Sequence, residues 1–157
     1  MPKDSNTAKG TQTSTLLRRI FKANNLNSFM DENERELSMS SFTEHIEKLC
    51  EERSIIRREV IERAGIERSF GYQLFRGARK PSRDNVIRLA FGFGLDVEET
   101  QSLLKTAGKA TLYPRIKRDA IILFCLSHKQ TILEVQDSLH SHGLTLLGSE
   151  NYESNER

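Results

Sequence analysis

Residues Arg57 to Pro81, RREVIERAGIERSFGYQLFRGARKP, constrain the fold more than any other stretch, because they read as a short helix, a glycine turn, a second helix and a basic loop. Val60, Ile61 and Ala64 fall at the spacing of one buried helical face, and Gly65 supplies a residue that tolerates positive φ where that helix must end. Ile66 begins the return into the core. The second helix is expected from Arg68 to Arg76, anchored by Leu74 with Phe70 or Phe75, and Gly77 stops it.

The order helix, glycine turn, helix is that of a helix-turn-helix, whose second helix enters the major groove of DNA. Its outer face here carries Arg68, Ser69, Tyr72 and Gln73, side chains able to reach base edges. The turn Ala78-Arg79-Lys80-Pro81-Ser82 is basic and suits phosphates beside the groove. Arg57, Arg76, Arg79, Lys80 and Arg83 are the expected phosphate contacts.

On these residues, and on Val86 to Ala90 and Gly94-Leu95-Asp96, the stretch from Phe42 to Thr100 resembles the Cro/repressor-type helix-turn-helix of bacterial and phage regulators, the XRE-like family. The resemblance implies five short helices, major-groove binding, a dimer on a two-fold operator, and Arg68, Ser69, Tyr72 and Gln73 at the base-facing positions. The sequence departs from that pattern in several places. Ile56 and Arg57 stand where a polar cap and a Gln are usual, so a side-chain cap is lost and a cation gained. Phe75 replaces a common Glu. Gly71 sits where a branched apolar residue normally points inward, and Ile61 where a small Ala is usual. The last two form a volume swap: Gly71 presents no side chain to the larger Ile61, at a backbone-entropy cost of roughly 0.5–1 kcal/mol for a glycine within a helix.

The formal net charge is only +2, but it is unevenly distributed. Between Ser54 and Arg83 eight cations oppose three anions, whereas from Thr131 to Arg157 five acids oppose one Arg. Cations gathered on the motif are what a polyanion-binding face needs. With 36% hydrophobic residues the chain can build a core. No apolar run reaches the length of a membrane span and no secretory leader pattern is present, which gives an expectation of a cytoplasmic protein. Cys50 and Cys125 show neither metal nor redox spacing and read as buried free thiols.

Catalysis has little support. His140 and His142 are two apart on one helix and so point to different faces, and Gly92-Phe93-Gly94 has no preceding strand to make it a nucleotide loop. No metal and no cofactor is expected, and no enzyme.

Four regions are expected. Residues 1–40 hold a disordered tail, a short amphipathic helix with Leu16, Leu17, Ile20 and Phe21, a less regular segment with Leu26, Phe29 and Met30, and an acidic linker at Asp31 to Glu34. Residues 41–108 form the DNA-binding domain, with capping boxes at Ser41/Glu44 and Asp96/Glu99 and a helix opened by Ser82. Residues 109–148 form a helical hairpin in which Pro114 suits a first turn, Ile121 to Leu126 are apolar nearly all round, Thr131 and Glu134 make a further capping box, and Gly143 with Leu144 makes a Schellman-type end. Residues 149–157 are a tail. The segment Ile122 to Glu134 also weakly resembles the start of another helix-turn-helix, but Leu144 to Leu147 is too apolar to face phosphates. The hairpin either completes the core or pairs two copies, and pairing fits the half-site logic better.

The sequence thus points to an all-α protein: a five-helix repressor-like helix-turn-helix domain with a C-terminal hairpin, binding double-stranded DNA as a homodimeric transcriptional regulator. The alternative is an interaction adaptor or antitoxin-like protein on the same scaffold, using its N-terminal or C-terminal helices to hold a protein partner.

Overall fold

The computed structural model describes residues 14–34, 37 and 41–149, and every described element is helical. The chain divides between residues 39 and 40 into two compact units. In the first, α1 covers residues 14–22 and α2 covers Leu26–Glu32. Asn25 caps α2, its side-chain oxygen accepting from the Ser28 N–H at 2.9 Å. The segment expected to be irregular is therefore helical, and Asp31 and Glu32 end that helix instead of forming a linker. Asn33 donates to the Phe29 carbonyl at 2.8 Å and accepts from Arg19 at 3.1 Å, a tertiary closure that hydrophobic spacing does not reveal. Of the tails expected to be disordered, residues 1–13 and 150–157 lie outside the described residues.

The second unit contains α3 (Phe42–Arg53), α4 (Arg57–Ala64), α5 (Arg68–Arg76), α6 (Arg83–Phe93), α7 (Val97–Thr106), α8 (Lys117–Ser127) and α9 (Ile132–Ser141). Local chemistry sets most of these boundaries. Ser41, Ser82 and Thr131 each accept from the backbone N–H three residues on, satisfying one orphan donor at the start of α3, α6 and α9. At α7 the box is reciprocal: Asp96 accepts from the Glu99 N–H at 2.8 Å and Glu99 accepts from the Asp96 N–H at 3.0 Å. Pro114 does not open α8. It lies in the preceding loop, and Ile116 is the N-cap residue, with no side-chain cap bond. At the far end the Leu144 N–H reaches the Leu139 carbonyl at 2.9 Å, the Schellman bond expected after Gly143.

One continuous core joins Ile46 of α3, Val60 and Ile61 of α4, Leu74 of α5, Leu89 of α6, Leu103 of α7, Ile122 and Cys125 of α8, and Val135 and Leu139 of α9. The hairpin α8–α9 therefore completes the core of the single chain. Its apolar run was expected to favour a surface between copies, but Ile122, Cys125 and Leu126 are spent inward, while Phe124 remains 55% exposed with its ring stacked on His128 at 3.9 Å. Helix α6 is the hub, buried at nearly every position. A side chain at Gly92 would meet the Val60 carbonyl at 2.5 Å, so this glycine lets α4 lie directly against α6. No described helix is long and apolar enough to cross a membrane.

Candidate nucleic-acid interface

Helices α4 and α5 meet at a turn in which Gly65 adopts φ +68°. The Ile66 N–H reaches back to the Ile61 carbonyl at 3.2 Å, and Arg88 of α6 donates to the carbonyls of Ala64 and Gly65, tying the turn to the hub. The volume swap read from the sequence is a direct contact: a Cβ placed on Gly71 would lie 2.6–2.9 Å from three side-chain carbons of Ile61. With Leu74 and Phe75 buried beside Gly71, one face of α5 is fixed and the opposite face is turned outward.

On that outward face Arg68 and Ser69 are exposed, and Tyr72 and Gln73 are half-buried. Tyr72 packs against the core cluster, so its ring is partly committed to the α3–α4 side. The helix start is closed by Glu67, which sequence reasoning passed over. Its carboxylate accepts from the N–H groups of Phe70 at 2.8 Å and Ser69 at 3.0 Å, and these two bonds hold its pKa below the ordinary carboxylate value. The readable signal was an acidic residue directly before the helix. Its consequence is that the Ser69 and Phe70 N–H groups at the start of α5 are already occupied within the protein.

The basic loop is attached to the same helix. The Gln73 carbonyl accepts from the N–H groups of Ala78 at 2.9 Å and Arg79 at 3.3 Å, which holds the start of the loop against the end of α5. Arg76, Arg79 and Lys80 are exposed and form no ion pair among the described residues. Arg57 is different. It pairs with Glu47 of α3 and lies over the Phe75 ring at 5.6 Å, so its charge is partly answered inside the protein. Ile56 before it makes no side-chain cap, as expected.

Arg83 is a correction. It was expected to hold phosphate, yet only 8% of it is exposed. Its guanidinium forms two bonds with Asp119 of α8, at 3.1 and 2.9 Å, and two more with the carbonyls of Ala110 and Thr111, at 2.9 and 3.1 Å. A buried fork paired to a carboxylate cannot also reach a DNA backbone. Arg118 makes the matching set, with Asp84 at 3.0 and 2.8 Å and the carbonyls of Thr145 and Leu146 at 2.9 and 3.1 Å.

Other chemistry is sparse. Among the described residues no group of three or more His, Cys, Asp or Glu side chains could hold a metal ion. Both cysteines are free; Cys125 is buried and Cys50 half-buried. Burial, and then the neighbouring Glu47 charge, push the Cys50 thiol up to about 11, and burial raises Cys125 as well. An apolar cleft of about 590 Å³ lies where Gly65, Phe91, Leu95, Leu126 and Ile132 approach one another. Comparison of the chain with protein-family models, curated proteins and solved structures finds no match.

Proposed function

We propose that residues 41–108 are a repressor-like five-helix helix-turn-helix domain, α3 to α7, and that the protein is a cytoplasmic, sequence-specific DNA-binding transcriptional regulator. The observation that carries this reading is the joint placement of an outward α5 face, with Arg68, Ser69 and Gln73, and a basic loop whose start is bonded to the end of that helix. Arg68 and Gln73 offer the bidentate donor and acceptor patterns that distinguish guanine and adenine edges, while Arg76, Arg79 and Lys80 supply sequence-independent attraction to phosphate. Tyr72 contributes its exposed edge, and Arg57 offers phosphate a charge it already shares with Glu47. Selection of bound sequences from random duplex DNA tests the reading. Enrichment of a defined site, lost with Gln73→Ala, supports it; recovery of no preferred sequence removes it.

A second reading keeps the scaffold and assigns it to protein binding. Leu17, Ile20, Phe21, Leu26 and Met30 of the N-terminal unit are all exposed, apolar surface that a protein partner would cover. Loss of DNA selection together with a partner lost on Phe21→Asp would favour this adaptor or antitoxin-like role.

A further inference from the structure

The two buried arginine clasps are related by a shift of 35 positions, from Arg83-Asp84 to Arg118-Asp119, and the same shift carries one hairpin onto the other. The caps Asp96 and Thr131 correspond, as do the core residues Leu104 and Leu139 and the left-handed glycines Gly108 and Gly143, at φ +71° and +69°. The hydrogen bonds correspond more closely still. Gln101 donates to the Leu112 carbonyl at 2.9 Å and accepts from its N–H at 2.7 Å; Gln136 does the same to Leu147 at 2.9 and 2.8 Å. Asp119 accepts from the Tyr113 N–H and Asp84 from the Gly148 N–H, each at 2.9 Å.

The direction of the clasps defines how the copies are arranged. Arg83 of the first hairpin pairs with Asp119 of the second, and Arg118 of the second pairs with Asp84 of the first. Exchanging the two hairpins reproduces the same set of pairs. A contact set in which i meets j and j meets i is that of a two-fold, isologous interface, the usual interface of a homodimer. Here both halves lie in one chain.

We propose that α8–α9 is an internal second copy of α6–α7 that occupies, within the molecule, the self-complementary face by which α6–α7 would pair with another protomer. The partner suited to the Arg83-Asp84 face is a second such dipeptide, and Arg118-Asp119 supplies it. The chain is therefore monomeric across this face. Resting on the DNA-binding reading, the further consequence is that one molecule brings a single α5 to DNA, without a second α5 fixed by this contact.

Sedimentation of the full chain, free and bound to selected duplex, tests the inference. The expected mass of the free protein is the single-chain 18.0 kDa. The variant Arg118→Ala with Asp119→Ala, which removes the internal partner, is expected to double that mass by pairing Arg83 with Asp84 of another copy, and further change of Arg83 and Asp84 to Ala is expected to abolish the gain. A wild-type dimer with interchain cross-links between the N-termini of α6 and α8 overturns the proposal, and so does a double variant that keeps its helical circular dichroism and stays monomeric. Should that variant lose its helical signal, the mass of the wild-type chain, followed as its concentration is raised, decides the proposal independently of the variant. On DNA, one chain per selected site is expected; two chains per site cross-linked through this face overturn it. Failure of every duplex to bind strikes only the DNA-binding reading, because the masses of the free proteins are unaffected.

Discussion

Lys80 and Arg83 lie three residues apart in one basic run, yet the first stands in solvent and the second is buried against Asp119. The loop after α5 and the clasp at the start of α6 thus use the same residue class for opposite purposes. A cation in the loop keeps its hydration and remains available to an external polyanion. In the clasp, desolvation is offset by a bidentate carboxylate and two carbonyls, and the charge serves the fold. Local charge density does not distinguish these outcomes; the presence of a carboxylate in reach after folding does.

The largest expected effect breaks the clasp. Arg118→Ala or Arg83→Ala leaves a buried Asp without its counter-charge and should cost about 3–5 kcal/mol of stability in urea denaturation, whereas Arg79→Ala should change stability by about 0.5 kcal/mol or less. Weakened DNA binding by Arg83→Ala at unchanged stability would return Arg83 to the phosphate set and erase the distinction.

Next in size is the contact inside the motif itself. Ile61→Ala should open a cavity costing about 2–5 kcal/mol, and Gly71→Ile should overpack the same spot by about 1–3 kcal/mol. The double variant restores a small residue facing a large one, so its loss should fall below the sum of the two. Additivity within about 0.5 kcal/mol would mean that the side chains do not share the space, and the register of α5 would have to be redrawn.

On the loop side of the comparison the readout is binding. On the proposed DNA-binding reading, Gln73→Ala should cost about 1–3 kcal/mol, mainly on the preferred site, while Arg79→Ala or Lys80→Ala should weaken all duplexes and reduce the salt slope by about one unit. Equal losses for Gln73→Ala on preferred and random DNA would remove it from the base-reading set.

The smallest effect concerns Glu67. Its carboxyl has a depressed pKa because the Phe70 and Ser69 N–H groups bond its charged form, so its contribution to stability is present above the ordinary carboxylate range and fades as pH falls through the depressed value. Glu67→Gln should flatten that part of the acid denaturation curve while leaving the clasp variants' defects unchanged. An unaltered acid limb for Glu67→Gln would mean that the cap contributes nothing to folding.

The helix boundaries from α3 to α7 were largely legible because caps and stops act over three to five residues. Ser41, Asp96, Gly65 and Gly77 carry their meaning in their neighbours. The bounds of α4 and α5 follow from such signals, and the Ile61–Gly71 contact was legible because two departures from one family pattern offset each other. Glu67 and Arg88 were missed for different reasons: the first is an uncommon capping residue, and the second acts on the turn from 23 positions away. The repeated Arg-Asp dipeptide was in plain view, but its significance depends on the hairpins folding back on one another.

By itself, the sequence determined where helices start and stop, which faces are apolar, and that cations gather around α5, because each of these depends on residue type and short-range spacing. Only the tertiary structure decided which cations remain outside and whether the C-terminal hairpin faces inward. Arg83 and Asp119 are 36 positions apart, and their attraction becomes strong only when packing removes the water that screens them in the unfolded chain.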